Sequence, residues 1–185
     1  QIILSVFGSE EQKRKYIPPM AQGKAIGAFS LSEASSGSDA GSLRTTAKRD
    51  KDHYVLNGVK LWTTQADSAA TILLMARTGG PGPQGVSAFI VDRETAGISM
   101  GKREKKMAMH SSHTMEVLLQ NVRVPVGNRV GEEGEGFKVA MTALDGGRIT
   151  IAATALGLAR AALEVASGHA LEREPVSQEL LHLPL

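Results

Sequence analysis

The sequence predicts an α+β fold, with a short helical start, an antiparallel β-barrel or sandwich in the middle, and a long helix at the end. Between residues 24 and 125, short runs of β-forming residues alternate with turn-like breaks. A helix-capping pattern precedes this region, and beyond Glu135 apolar residues recur at helical spacing. With 185 residues, of which 42% are hydrophobic, the chain is long enough for one domain and part of another.

The first complete helix carries its own start signal. Ser9 is followed three residues later by Gln12, which is the spacing of a capping box. We expect this helix to end near Ile17, because the Pro18-Pro19 pair disfavours its continuation. The chain begins at Gln1 with what resembles the end of an apolar helix, so we expect it to be part of a longer protein.

Seven runs are predicted as strands joined by tight turns. Asn57-Gly58 lies between two alternating runs and is the strongest short-range hairpin signal in the chain. Residues 79–85 form a loop by their Gly and Pro content. The predicted strands are Ala25 to Leu31, Arg44 to Lys48, His53 to Leu56, Val59 to Thr64, Thr71 to Arg77, Val86 to Val91 and Thr114 to Leu119.

The last predicted element is a helix that extends to about Arg173 and is ended by Pro175. Gly146-Gly147 would weaken it by about 1 kcal/mol per glycine relative to alanine. Asp145 and Arg148 flank these glycines as a charge pair, so the glycines would clear the helix surface for a ligand.

Composition and charge exclude several classes of function. The net charge is +2 and the basic runs lack interleaved aromatic residues, so we expect no nucleic-acid partner. The sequence has no Cys, and therefore no disulfide framework or thiolate chemistry. His110 and His113 have the spacing of metal ligands, but no further ligand completes a site, so we expect no metal. No unbroken apolar run approaches the roughly 18 residues of a spanning helix, so we expect no membrane span.

Two segments carry the main functional signal, residues 29–39 and residues 61–64. An apolar strand that leads into hydroxyls, Gly and backbone N–H groups suits a ligand with phosphates at one end and a polar ring at the other. Trp62 supplies a flat face for the ring, although a single Trp is more often a core residue. Because side chains alternate along a strand, Thr63 or Thr64 shares the Trp face only where the strand bends or ends. Together the segments predict a nucleotide-type cofactor.

These pieces, in this order, resemble the acyl-CoA dehydrogenase family of flavoproteins. The family segment Leu/Val-Thr/Ser-Glu-x-x-x-Gly-Ser-Asp corresponds to Leu31 to Asp39. The segment Asp-x-Tyr-x-Leu-Asn-Gly-x-Lys-x-Trp-Ile-Thr-Asn corresponds to Asp52 to Gln65, with Thr63 in place of the Ile and Gln65 in place of the Asn. Val-x-Val-Pro falls at Val122 to Pro125. The pattern Gly-x-Gly-Phe-x-x-Ala-x-x-x-Leu-Asp-x-x-Arg falls at Gly134 to Arg148, and Glu-Arg falls at residues 172–173.

The resemblance implies three parts: residues 1–23 as the end of an N-terminal helical domain, 24–132 as a flavin-binding β-barrel, and 133–185 as the first long helix of a truncated C-terminal bundle. Family members bind FAD across a subunit interface as homo-oligomers, mostly tetramers. They oxidise acyl-CoA and pass electrons to an electron-transferring flavoprotein. Bacterial members are cytoplasmic and eukaryotic members lie in the mitochondrial matrix. The loop at 79–83 and the segment Lys102 to Lys106 resemble the isobutyryl-CoA branch.

The resemblance also implies ligand contacts by position. The residues expected to contact FAD are Phe29, Leu31, Ser32, Gly37, Ser38, Trp62, Thr63, Thr64 and Arg173. Those expected to contact the CoA moiety are Ser38, Asp145 and Arg148. Within the first set, Gly37 and Ser38 would address the pyrophosphate and Thr64 the N5 edge of the flavin. Arg173 would reach a flavin bound mainly by a neighbouring subunit.

No catalytic residue is expected within this chain. In the family a carboxylate removes the α-proton of the acyl thioester while the β-hydrogen leaves as hydride. In most members that Glu lies far along the bundle, beyond Leu185, and in some branches it occupies the position that is Gly147 here. Glu33 lies at a position of structural use. We therefore expect the activity to belong to a longer parent protein.

Two alternatives stay open. In the first, the chain is a non-catalytic flavin-binding remnant or interaction module, and in the second it belongs to a flavin oxidase or monooxygenase of the same fold. The Asp145 and Arg148 pair favours a CoA ester over the latter.

Overall fold

The computed structural model describes residues 2–173, which form an α+β fold of three α-helices, three short 3-10 helices and one eight-stranded sheet. The α-helices are α1 (Ile2–Phe7), α2 (Glu10–Ala21) and α3 (Gly136–Glu172). The strands are β1 (Gly27–Ser30), β2 (Thr46–Asp50), β3 (His53–Thr64), β4 (Thr71–Arg77), β5 (Val86–Asp92), β6 (Ile98–Arg103), β7 (Thr114–Pro125) and β8 (Arg129–Val130).

Helix α2 starts as predicted and ends later than predicted. The Ser9 side chain accepts the N–H of Gln12, and the Gln12 side chain accepts the N–H of Ser9, so both halves of the capping box are present. The helix nevertheless continues through Pro18 and Pro19. A proline lacks a donor but keeps its carbonyl, and the Pro18 carbonyl accepts the N–H of Gln22 at 3.0 Å. The prediction of an end near Ile17 was therefore wrong.

The sheet is open and mixed, so the predicted closed antiparallel barrel was wrong. Its strand order is β6-β7-β3-β2-β4-β5-β8, and β1 pairs with β4. The β1–β4 pair is parallel, and β2 meets β4 in parallel at Thr46 and Arg77. Strands β6 and β8 form the edges of this path in the described part of the chain. Sequence patterns locate strands, but the partner of a strand depends on long-range packing, which the patterns do not contain.

The predicted hairpin at Asn57-Gly58 was also wrong, because both residues lie inside β3. The turn into β3 lies instead at Lys51 and Asp52, and Lys51 has a φ of 56°. Opposite Asn57, strand β7 contains an extra residue, and Asn121 has a φ of 52°. The Asn121 N–H donates to the Asn57 side chain at 2.8 Å. The Asn-Gly pair thus supports a bulge between two long strands.

Most of the other strand predictions are close to the observed elements. Strand β4 has the predicted bounds, whereas β7 continues beyond Leu119. Strands β6 and β8 were not predicted. Strand β6 is Ile-Ser-Met-Gly-Lys-Arg, which lacks a run of β-formers, and its pairing is provided by β7.

The core lies on the buried faces of the central strands. Tyr54 and Phe89 meet edge to face within it, with ring centroids 4.9 Å apart. Other fully buried side chains are Leu56, Ile72, Leu74, Val117 and Val122. The first turn of α3 joins this core through Val139 and Ala140. Gly136 is required there, because a Cβ at this position would lie 2.4 Å from the backbone of Ser87.

The chain divides into two compact units, Gln1–Ala143 and Leu144–Leu185. In the second unit α3 continues without a break through Gly146 and Gly147 to Glu172, as the helical spacing predicts. Pro175, which was expected to end the helix, lies outside the described residues.

Helix α3 is long and apolar enough to cross a membrane by length and composition alone. An 18-residue window has a mean hydropathy of 1.5, and none of that window is buried. A search for unbroken apolar runs does not find this property, because Gly and Thr interrupt the apolar residues of α3 without making it polar on average. A core helix of a soluble protein meets the same criterion, so the helix is weak evidence for a membrane span.

Candidate functional site

A β-bulge in β3 presents Trp62 at the protein surface. Between Lys60 and Thr63, β3 contains one residue more than the facing stretch of β7. Trp62 has a φ of 56°, which is rare for a residue with a large side chain, and it is 55% exposed. Lys60 and Thr63 are buried, whereas Trp62 and Thr64 are exposed. The strand therefore bends at the bulge, as is needed for Trp62 and a neighbouring Thr to share a face.

Thr63 is turned to the interior. Its hydroxyl lies 2.8 Å from that of Ser30 at the end of β1, and both side chains are buried. Any contact between Thr63 and a surface ligand would therefore involve its backbone. Phe29 precedes Ser30 in β1 and is half-buried.

The segment that follows β1 is fastened directly to the bulge. The Leu61 N–H donates to the Ser32 carbonyl at 2.8 Å. The Lys60 ammonium donates to the Leu31 carbonyl at 3.0 Å and to a carboxylate oxygen of Glu33 at 2.8 Å. The structure thus brings together two of the sequence-predicted groups, Leu31 with Ser32 and residues 62–64. The side chain of Leu31 is buried, so only the backbone of Leu31 could contact a ligand at the surface.

Glu33 and Lys60 are a buried ion pair with further backbone partners. The Glu33 carboxylate also accepts the N–H groups of Arg44 at 2.6 Å and Thr45 at 3.0 Å. Burial opposes the charged form of Glu33, but Lys60 and these donors outweigh it, so the pKa of Glu33 lies below its ordinary value. Burial lowers the pKa of Lys60 to about 8, against the attraction of Glu33. The structure thus confirms a structural use of Glu33.

Gly37 and Ser38 form an open turn after this anchor. Glu33 and Ser36 exchange two backbone hydrogen bonds, of 3.0 and 3.1 Å, and the Ser36 hydroxyl donates to the Asp39 carbonyl at 2.8 Å. These bonds fix the base of the turn. Gly37 and Ser38 are exposed, and no described atom beyond its chain neighbours lies within 4 Å of a Cβ placed at Gly37. The turn therefore leaves room for an anion to approach the backbone.

A groove of about 640 Å³ lies beside this turn, lined by Asp39, residues 41–44, Arg77 and residues 79–83. The Arg77 guanidinium spans it and donates to the carbonyls of Gly41 at 2.6 Å and Gly82 at 3.0 Å. Its charge is therefore used to hold the predicted Gly-rich loop against the segment after Asp39.

Two of the three predicted CoA contacts belong to the second unit, whereas Ser38 belongs to the first. Asp145 and Arg148 approach to 4.0 Å on α3, and their side chains are largely exposed. Gly147 lies between them, and a Cβ at this position would meet no described atom of another part of the chain within 4 Å. Arg173 lies just beyond the end of α3, is exposed, and donates its N–H to the His169 carbonyl at 3.0 Å.

The two histidines considered as metal ligands have other partners. His113 Nδ1 lies 2.6 Å from Asp67 Oδ2, and this contact lowers the pKa of Asp67. His110 Nε2 lies 2.8 Å from the carbonyl of Lys106. In residues 2–173 no group of three or more His, Asp or Glu side chains is arranged to hold a metal ion.

Neither Lys60 nor Ser30 is among the site residues predicted from the sequence. Lys60 lies two residues before Trp62, and strict alternation assigns both to one face. The bulge places them on opposite faces. A lysine within a run of β-formers, together with an acid at the end of another strand, was the available signal.

Comparisons with known proteins match both the middle and the C-terminal part of the chain. Residues 28–122 match the model of the acyl-CoA dehydrogenase middle domain, and residues 134–185 match that of the acyl-CoA dehydrogenase C-terminal domain. The mitochondrial isobutyryl-CoA dehydrogenase of Dictyostelium discoideum is 42% identical over 181 residues, which are 97% of this chain and 44% of that protein.

Solved structures extend the similarity to the fold. Butyryl-CoA dehydrogenase from Megasphaera elsdenii matches with a TM-score of 0.93 and 42% identity, over 98% of this chain and 48% of that one. An acyl-CoA dehydrogenase from Bacillus anthracis, complexed with FAD, matches with a TM-score of 0.91 and 36% identity, over 100% of this chain and 32% of that one. The chain therefore spans less than half the length of these relatives. On the two family models and these similarities together, the chain belongs to the acyl-CoA dehydrogenase family.

Proposed function

We propose that this chain is the flavin- and CoA-contacting part of an FAD-dependent acyl-CoA dehydrogenase, which introduces a double bond between the α- and β-carbons of an acyl-CoA thioester. The observation that carries the proposal is the exposed Trp62 and Thr64 face on a bulge that is fastened to the segment leading into the Gly37–Ser38 turn. A flat apolar face and an open backbone turn are what a ring and a pyrophosphate require.

The residues present fit FAD. The indole of Trp62 is exposed enough to cover one face of the isoalloxazine, and Thr64 lies on the same side of the strand with its hydroxyl available as a donor. Leu31 and Ser32 would offer backbone groups to the pyrimidine side, and Gly37 with Ser38 would hold the pyrophosphate. An FAD bound here would supply a hydride acceptor at its N5 atom.

Asp145 and Arg148 would contact the CoA moiety, and Ser38 is a further proposed CoA contact. Arg173 would reach the flavin of a neighbouring subunit. These assignments rest on family membership and on the exposure of both charged side chains on α3. We further propose that the protein acts as a homo-oligomer and passes electrons to an electron-transferring flavoprotein.

The catalytic base would lie outside these 185 residues. Deprotonation at the α-carbon needs a carboxylate within hydrogen-bond reach, and position 147 is glycine. Glu33 is buried and fully engaged with Lys60 and two backbone donors, so it is unsuited to this role. The activity would therefore belong to a longer protein.

The experiment that tests the proposal is FAD titration of the purified chain, followed by visible absorption spectroscopy. Binding is expected to shift the flavin bands relative to free FAD, and Trp62→Ala and Gly37→Val are expected to weaken it. With acyl-CoA and an artificial electron acceptor, the chain is expected to show no turnover. Turnover at the rate of a full-length relative would refute the proposal that the catalytic base lies outside this chain. A chain that binds no FAD would refute the proposed cofactor site.

A non-catalytic flavin-binding role is the second candidate, favoured by the glycine at position 147. Anaerobic addition of acyl-CoA to a longer protein that includes this chain separates the two functions. Bleaching of the flavin supports the dehydrogenase, whereas a bound flavin that stays oxidised supports the non-catalytic role.

A further inference from the structure

Glu33 and Lys60 form a buried ion pair, and Lys60 lies two residues before Trp62 in β3. The Lys60 side chain is fully buried and that of Glu33 is 7% exposed. Replacing such a pair by apolar residues of similar volume often leaves a protein as stable or makes it more stable. Stability alone therefore does not account for the pair, and its contacts indicate a more specific role.

The pair joins three separate stretches of chain. Lys60 on β3 reaches the Leu31 carbonyl and the Glu33 carboxylate, which places it against the segment after β1. Glu33 then accepts the N–H groups of Arg44 and Thr45, just before β2. An apolar side chain would fill the same volume but could not fix the orientation of these peptide groups.

The bulge between Lys60 and Thr63 is held at both of its ends. A positive φ at a residue with a large side chain, such as Trp62, is strained and persists only where the surroundings enforce it. Lys60 enforces it on one side through Leu31 and Glu33, and Thr63 on the other through Ser30. Both anchors attach to the same short segment, residues 30–33.

From these contacts we propose that Lys60 is a positioning residue, which acts through Glu33 and the Leu31 carbonyl to hold the two flavin-facing segments in register. This inference rests on the proposed function. The pair sets where Trp62 and Thr64 lie relative to the backbone of Leu31 and Ser32, so its removal changes the seat of the ring while the sheet stays folded.

The test compares the double variant Glu33→Gln/Lys60→Met with a matched control, Tyr54→Phe. Tyr54 is a buried β3 residue whose hydroxyl contacts Glu133, and it lies eight positions from Trp62, about 26 Å along an extended strand. Each chain is titrated with FAD, and its dissociation constant, the bound-flavin absorption spectrum and the melting temperature are measured. A spectral change is a readout that a loss of stability alone does not produce.

The double variant is expected to bind FAD at least tenfold more weakly, with flavin bands shifted toward those of free FAD. Tyr54→Phe is expected to leave affinity and spectrum unchanged. Affinity within twofold of wild type and an unchanged spectrum in a folded double variant would overturn the inference while the proposed function stands. If the double variant does not fold, Ser30→Ala decides instead, because it removes only the second anchor and is expected to weaken FAD binding several-fold. If wild type takes up no FAD, the proposed function fails and this inference fails with it.

Discussion

The ammonium group of Lys60 is buried inside the sheet, and the contribution of Lys60 to the free energy of unfolding depends on pH. Its folded-state pKa is about 8, below the ordinary 10.5, because burial disfavours the charge. Between these two values the unfolded chain binds more protons than the folded one, so the contribution of Lys60 to stability rises with pH. For Glu33 the folded pKa is lowered, so its contribution is present above the ordinary 4.5 and is lost as pH falls through the folded pKa.

We predict that the free energy of unfolding of wild type, minus that of Glu33→Gln/Lys60→Met, increases between pH 8 and 10.5. The increase is expected to be on the order of 3 kcal/mol, since each pKa unit corresponds to about 1.4 kcal/mol. The same difference is expected to decrease below pH 4.5. Urea unfolding from pH 3 to pH 10.5 measures both limbs. A difference that stays constant through the alkaline window would contradict the buried charge on Lys60.

At the scale of single elements, Gly58 explains how β3 passes close to the chain that precedes β2. A Cβ at Gly58 would lie 2.4 Å from the Thr45 hydroxyl and 2.8 Å from the Thr45 Cα, and the φ of Gly58 is 154°. Thr45 is also one of the donors to Glu33. The close approach at Gly58 therefore supports the same anchor that Lys60 completes.

We predict that Gly58→Ala destabilises the chain by about 1–3 kcal/mol, the usual cost of inserting a group into a well-packed site. Gly127→Ala is the control, because no described atom beyond its neighbours lies within 4 Å of its Cβ position and its φ is not positive. Chemical denaturation measures both variants. Equal stability of the two would show that the Thr45 contact relaxes without strain.

The elements that the sequence predicts well are those with local causes. The capping box at Ser9 and the continuous apolar run of β4 need only neighbouring residues, and both are observed. Asn57-Gly58 has the local chemistry of a hairpin, yet pairing with the long strand β7 keeps it inside β3. The bulge at Trp62 depends on Lys60 and Thr63 meeting a distant segment, so alternation along β3 alone could not place it.

At the scale of the whole molecule, the family resemblance supplied the site residues, but the reason for their arrangement came from the structure. The spacing of the motifs located residues 31–39 and Trp62, while the Glu33–Lys60 pair that joins them is a long-range contact. In the same way, the helical spacing of apolar residues predicted α3, but this spacing does not show which structure covers the helix.

Helix α3 is apolar nearly all round, which is typical of a helix that is covered by other structure. Two exposed stripes repeat every seven residues along it: Ile149, Leu156 and Leu163 form one, and Ile151, Leu158 and Val165 form the other. Exposed apolar surface of this extent marks an association site. In the proposed homo-oligomer, these stripes would be covered by the same helix of another copy of the chain.

We predict that the purified chain self-associates through these stripes, with a mass by light scattering that is a multiple of 19.5 kDa. Leu156→Lys/Leu163→Lys is expected to shift it toward the single-chain mass, because two charges cannot be buried unpaired at such an interface. Glu164→Lys, on the same helix at an exposed polar position, is expected to leave the mass unchanged. A wild-type chain that is monomeric in solution, or that sediments only with lipid vesicles, would contradict the oligomer and point instead to other helices or a membrane as what covers α3.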